Sequence, residues 1–263
     1  MHPGSSLLAD FYFCLGFFTR LPVPSAASRS EPHSLENFSR AARMVPVAGG
    51  LVGALAAIVM AAASRFGFPP PLAAPLAICS LVLLGGAMHE DGLADCADGF
   101  SGGTTRERKL EIMQDSRTGT FGAVALVLSL YLRAASLALI ADESLGLASA
   151  VLIGAAALSR TAALMPLALL PPARENGAGF AAGKPEQAAL AVAAFLAVVF
   201  ALAPVVAGAY LARSLAGIAA ATGAAYAIVL LARKQIGGQT GDVAGAAQQL
   251  SEIAYYLAFA AGV

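Results

Sequence analysis

Tryptophan is absent from this chain of 263 residues, and charge is scarce: Asp, Glu, Lys and Arg together make up 12%. Soluble domains usually carry about a quarter of their residues as charges. Set beside 58% apolar residues, the deficit excludes an ordinary soluble domain and predicts an integral membrane protein. Net charge is zero, so no overall field points to nucleic acid, and none is expected as a partner. The three cysteines, Cys14, Cys79 and Cys96, are widely spaced with no CxxC pair. Neither a disulfide framework nor a thiolate metal site is predicted. The first residues lack a basic region ahead of a short apolar core with a small-residue cleavage site, so no removable signal peptide is expected. No internal repeat and no long linker divides the sequence, which is read as one membrane-embedded domain over residues 1–263.

What is present is a series of apolar runs, which predicts an all-α, polytopic helix bundle. Residues 6–19 are apolar and aromatic but interrupted by Asp10, and they are too short to cross about 30 Å of hydrocarbon. They suit an interfacial or re-entrant helix, ended by Arg20-Leu21-Pro22-Val23-Pro24. About seven spans follow, near 44–63, 72–88, 121–141, 145–170, 187–212, 214–232 and 243–262. Gly49, Gly50 and Gly53 in the first permit close helix contact. Arg20, Arg29, Arg40, Arg43, Arg106, Arg108, Lys109, Arg117, Arg174, Lys184, Arg233 and Lys234 fall in loops on one side; Arg65 and Arg213 fall on the other. Basic loops stay in the cytoplasm, which predicts a multi-pass membrane protein with the longest polar loops on the cytoplasmic side.

One stretch concentrates the chemistry. His89-Glu90-Asp91-Gly92-Leu93-Ala94-Asp95-Cys96-Ala97-Asp98-Gly99 follows directly on an apolar run. At about 100° per residue, Asp91, Asp95 and Asp98 share one helix face. Three like charges in register want a cation, and hard carboxylate oxygens select Mg²⁺, Mn²⁺ or Ca²⁺ over softer metals. Carboxylate-held Mg²⁺ leaves part of its shell to substrate phosphate, so a phosphate or diphosphate substrate is the natural inference. His89, Glu90 and Cys96 are read as structural neighbours of this face.

Further candidates lie on the same predicted side. Asp115-Ser116-Arg117-Thr118-Gly119-Thr120-Phe121-Gly122 offers a guanidinium, hydroxyls and a glycine nest at a helix start, all suited to an anion. Arg160 lies within an apolar span, where a charge without a partner is expensive, and it should face the acids or a substrate phosphate. Arg133 could sit mid-span or snorkel to the interface. Asp242, in Gly237-Gly238-Gln239-Thr240-Gly241-Asp242, is either a helix cap or a ligand, and Arg20 has similar standing. Thr104 or Thr105 should cap a short amphipathic helix.

Taken together these pieces resemble the cobalamin synthases, the adenosylcobinamide-GDP ribazoletransferases. The resemblance rests on Phe18-Thr19-Arg20-Leu21-Pro22-Val23-Pro24, Pro46 to Gly53, His89 to Gly99, Glu111 to Gly122, Ser159-Arg160-Thr161 and Gly238 to Asp242, in the family's order. Glu90 and Cys96 depart from the Leu and Thr common there. The resemblance implies a Mg²⁺-dependent enzyme of the bacterial inner membrane that joins adenosylcobinamide-GDP to α-ribazole or its 5′-phosphate, giving adenosylcobalamin or its phosphate and releasing GMP. On that reading Asp91, Asp95 and Asp98 hold the metal, Asp98 or Asp115 is the general base, and Arg20, Arg117, Arg160 and Asp242 contact substrate. Membrane lipid surrounds the chain, and other corrinoid-pathway enzymes are candidate partners. A CDP-alcohol phosphotransferase, a polyprenyl-diphosphate transferase and an ion-coupled transporter are the alternatives that the acidic face leaves open.

Overall fold

Residues 6–23 and 37–261 are described by the computed structural model. Pro24 and Arg29 of the sequence reading lie outside them. Among these residues fourteen α-helices run in order: α1 Leu7–Phe18, α2 Phe38–Ala41, α3 Val45–Arg65, α4 Pro70–Gly85, α5 Met88–Gly102, α6 Arg106–Ile112, α7 Thr120–Glu143, α8 Leu145–Ala162, α9 Leu164–Leu169, α10 Ala178–Ala182, α11 Gln187–Ala201, α12 Ala203–Val206, α13 Leu211–Ile236 and α14 Gly241–Ala260. Among the described residues there is no strand. The all-helical membrane bundle expected from composition is what the chain forms.

The helix ends follow local chemistry. Ser6 caps α1 by accepting from the Ala9 N–H at 3.2 Å, and Thr105 caps α6 by accepting from the Arg108 N–H at 3.2 Å. Such side-chain oxygens satisfy amide groups that the first helical turn leaves open. Pro46 and Pro70 sit in first turns, where a missing N–H costs nothing. Within lipid, apolar side chains gain little by leaving the acyl chains, so close packing of small residues holds the bundle. A Cβ at Gly53 would come within 2.6 Å of the Leu152 carbonyl oxygen, so α3 and α8 meet there backbone to backbone.

Among the described residues five helical segments are long and apolar enough to cross a membrane: Phe38–Arg65, Thr120–Glu143, Leu145–Leu169, Gln187–Val206 and Leu211–Ile236. A sixth exists if α4 and α5 count together, though they meet at 89°. The expected seven spans are therefore corrected in two places. The run at 72–88 ends at a corner, where Gly86 (φ 62°) and Ala87 (φ 58°) both take left-handed backbone. The run at 243–262 forms a helix, α14, that fails as a lipid-facing span because it carries Gln248, Gln249 and Glu252. Those polar groups are buried, together with Tyr255, Tyr256 and Phe259, against α5, α7, α8 and α13. Helix α14 is the bundle's central post, sheathed by the helices that face lipid.

Candidate active site

The corner after α4 turns α5 across the bundle and lays it along α14. The approach is close because both helices carry glycine at the crossing: a Cβ on Gly92 would come within 2.8 Å of the Asp242 carbonyl oxygen. This contact sets the first turn of α14 beside the middle of α5. Two loops close the same end of the bundle. The Ala173 N–H donates to the Gln239 carbonyl and the Gln239 N–H to the Pro171 carbonyl, each at 2.8 Å. Arg106 of α6 then pins both, donating to the carbonyls of Ile236 (2.8 Å) and Ala173 (2.6 Å).

Consecutive residues of α5 face opposite environments. Glu90 points inward, where Arg133 donates to it at 3.1 Å and to Glu252 at 3.4 Å, all three buried. Gln249 donates to Glu90 at 3.1 Å; Gln248 donates to Glu252 at 2.6 Å and to Ser159 at 2.9 Å. Arg160 is buried in this cluster, in the field of Glu252 and Glu90, and its Nη1 donates to the Ala156 carbonyl at 3.2 Å. Two cations and two anions thus balance one another in the interior. Arg160, expected to face the aspartates or a substrate phosphate, lies instead among these interior glutamates, while Arg133, left undecided between span and interface, is 1% exposed at the centre.

Asp91 and Asp95 face outward. Neither carboxylate has a hydrogen bond or an ion pair among the described residues. Asp95 lies in the field of Asp91, Asp242 and Asp98, opposed by Arg174. Asp242 accepts from Arg174 Nη2 at 3.3 Å and from the Thr240 hydroxyl at 3.1 Å. Thr240, by accepting from the Val243 N–H, takes the capping role considered for Asp242. Arg174 keeps two further donors, Nε and Nη1, buried and without partners among the described residues. The sequence offered no sign of this arginine, which reads as one more basic loop residue 68 positions from its carboxylate.

Asp98 departs from its expected place in the metal set. Its Oδ2 accepts from the Gly119 N–H at 2.6 Å and its Oδ1 from the Gly122 N–H at 2.8 Å. The helix start foreseen as an anion site is therefore filled by the chain's own carboxylate, satisfying the open amides of α7. Both oxygens so engaged, Asp98 is poorly placed to be a base. Asp115 is engaged as well: Arg117 donates through Nη2 at 2.6 Å, and these hydrogen bonds hold its carboxyl down to about 2. A proton acceptor needs the reverse. Arg117 is spent on that exposed pair, and Arg20 packs beside the Gly86 corner, its N–H donating to the Leu84 carbonyl at 2.8 Å. Among the described residues no three His, Cys, Asp or Glu side chains converge tightly enough to form a metal cluster on their own. The structure brings together Asp91, Asp95 and Asp242 with Arg174; Asp98 adds its field at Asp95 but spends both oxygens on backbone amides, and Asp115, Arg117, Arg20 and Arg160 are not in that group.

Behind the carboxylates lies a cavity of about 140 Å³, walled by Phe17, Phe18, Phe38, Leu164 and Leu167, with His89, Asp91 and Asp242 among its lining. Fold and site define a polytopic helical membrane protein whose acidic mouth opens at one end of the bundle onto an aromatic recess. The chain belongs to the cobalamin-5-phosphate synthase family, whose model matches residues 10–260. It is 45% identical over 253 residues to an adenosylcobinamide-GDP ribazoletransferase of Azorhizobium caulinodans, covering 96% of each chain. A protein of the same name from Bradyrhizobium diazoefficiens is 42% identical over 268 residues, covering 99% of this chain and 98% of the relative. One from Mesorhizobium japonicum is 44% identical over 251 residues, 95% and 92% of the two. No solved structure matches the chain.

Proposed function

We propose that this chain is an adenosylcobinamide-GDP ribazoletransferase, acting at the mouth formed by Asp91, Asp95, Asp242 and Arg174. A ribazole hydroxyl oxygen bonds to the phosphorus on the cobinamide side, the anhydride bond to GMP breaks, and GMP leaves with the electron pair. The observation that carries the assignment of this mouth is its imbalance of charge: three carboxylates crowd one face with one arginine against them. Like charges held so close favour a bound cation.

The donors suit Mg²⁺. They are hard oxygens, with neither thiolate nor imidazole among them, and Asp91 and Asp95 are free of hydrogen bonds among the described residues. Two carboxylates would leave the rest of the metal's shell to water and diphosphate oxygens. Bound there, Mg²⁺ would neutralise the diphosphate and polarise its phosphorus. The chain supplies the rest. Arg174, whose Nε and Nη1 are without partners among the described residues, supplies a charge-assisted hydrogen bond to a phosphoryl oxygen. Asp242, with Oδ2 held by Arg174 and Thr240, takes the hydroxyl proton at Oδ1. The wall of aromatic residues behind keeps water from the phosphorus.

The Lys and Arg residues of the loops around this mouth support a cytoplasmic orientation in the inner membrane. The test is release of GMP by the purified full-length chain in lipid nanodiscs. Rapid release requires adenosylcobinamide-GDP, α-ribazole or its phosphate, and Mg²⁺ together. Release that ignores ribazole, or persists in chelator, would overturn the assignment of substrate or of metal respectively. A protease-accessible tag on the 171–177 loop, cut from the cytoplasmic side alone, reports the orientation.

A further inference from the structure

Phe18 of α1 and His89 of α5 stack with their rings 7° from parallel and centroids 5.9 Å apart. Phe17 meets Phe18 edge-on at 4.9 Å and Phe38 at 5.4 Å. These rings form one wall of the 140 Å³ cavity behind the carboxylates; Leu164 and Leu167 form another. His89 is 3% exposed, lines the cavity, and its Nε2 has no hydrogen-bond partner among the described residues. Buried polar groups nearly always find partners, so the orphan nitrogen of a residue that lines the cavity points to a ligand atom. Asp91 and Asp242 lie on the same lining. The recess therefore opens directly onto the acidic mouth.

We propose that this recess is the subsite for the flat bicyclic base of ribazole, with the His89 Nε2–H donating to the one ring nitrogen that ribosylation leaves free. The proposal rests on the transferase reading above and adds to it where one substrate docks. The lining chooses between the two bases in the reaction. Guanine presents N1–H, an amino group, O6 and N7, and would need several polar partners, since leaving them bare in an apolar site is costly. A ribosylated benzimidazole presents two apolar faces and a single acceptor. The only other polar side chains of the lining among the described residues, Asp91 and Asp242, serve the metal and the proton at the mouth. Guanine's O6 and N7 would therefore meet no further side-chain donor, whereas one donor among phenyl rings and leucines suits the second base. Its ribose then reaches the mouth, where Asp242 takes the hydroxyl proton.

The test is photolabelling of the wild-type, full-length protein in nanodiscs with an azidobenzimidazole riboside and, separately, with 8-azidoguanosine diphosphate. The expected result is benzimidazole label on residues 17–18, 38 or 163–167, suppressed by α-ribazole and unaffected by GMP. Benzimidazole label confined elsewhere, or guanine label at those positions, would overturn the proposal. Kinetics supply a second arm. Ala244→Leu, at a partly exposed site on the cavity lining, should raise KM for α-ribazole about tenfold or more and shift KM for adenosylcobinamide-GDP less than twofold. His89→Leu should raise the ribazole KM similarly, and His89→Gln, which restores a donor, should recover most of it. Equal behaviour of the two His89 variants refutes the hydrogen bond. Absence of any GMP release by wild type would refute the transferase reading itself; normal release with label elsewhere refutes the subsite alone.

Discussion

Glu90 and Asp91 are neighbours in sequence and opposites in setting. Inside the bundle, Glu90 and Glu252 are matched by Arg133 and Arg160, with Gln248, Gln249 and Ser159 supplying further hydrogen bonds. At the mouth, Asp91, Asp95 and Asp242 face Arg174, whose Nε and Nη1 are unused. In the first region each charge has its opposite, although Arg133 Nε and Arg160 Nε have no hydrogen-bond partner among the described residues. The second is open by construction. The difference teaches that number of charges is a poor guide to function in a membrane bundle, whereas their balance is a good one. Carboxylates that the fold leaves unmatched are the ones to assign to substrate.

Substitution can break this contrast from either side. The largest effect is expected for Asp91→Asn or Asp95→Asn, which should cut GMP release by about 10³-fold, the scale of losing a charge-stabilising group at a reacting phosphorus. Thermal unfolding in detergent should be unchanged or slightly raised, because like-charge repulsion is relieved. A large drop in melting temperature in either variant would place these acids with the structural cluster. Arg133→Met does the opposite. Leaving Glu90 and Glu252 buried without their cation should destabilise the fold by about 3–5 kcal/mol. Simultaneous replacement of Glu90, Arg133, Arg160 and Glu252 by Leu, Met, Met and Leu should recover much of that stability. If the quadruple variant is no better than the single, the balance of charge is not what holds this region.

Arg174→Gln should raise KM for adenosylcobinamide-GDP by about 10- to 100-fold, as expected for one charge-assisted hydrogen bond to a phosphoryl oxygen. An unchanged KM would show that its pairing with Asp242 is structural. Asp98→Asn should cost about 1–2 kcal/mol of stability, typical for loss of a helix cap, with a lesser effect on rate. A loss of activity as deep as that of Asp95→Asn would return Asp98 to the catalytic set. The smallest effect is expected for Asp115→Asn: a rate within twofold of wild type, since its carboxyl is held near 2 by Arg117 and stays ionised at working pH.

Much of the fold could be read from hydropathy alone because lipid demands long apolar helices. The reading failed where a helix avoids lipid altogether. Gln248 and Glu252, one turn apart on α14, carried the sign that this helix packs inside others, but its alanines and tyrosines masked it. The acidic face was legible at Asp91 and Asp95 because helical spacing is a local property. The capture of Asp98 by Gly119 and Gly122, 21 and 24 residues onward, depends on tertiary contact and left no mark in spacing. Arg174 and Asp242 meet for the same non-local reason. Helical periodicity separates Glu90 from Asp91 by about 100°, but assigning one side to the interior required knowing where α14 lies.

The left-handed corner at Gly86 and Ala87 has a consequence for depth. Helix α4 has 16 residues and rises about 24 Å, some 6 Å short of a hydrocarbon layer of about 30 Å. If its Pro70 end sits at one membrane surface, α5 turns aside before reaching the other. The carboxylates then lie on a recessed ledge, reached from water above and bordered by lipid at the side. A bulky, partly apolar corrinoid could slide onto such a ledge along the membrane plane while its charged tail stays hydrated.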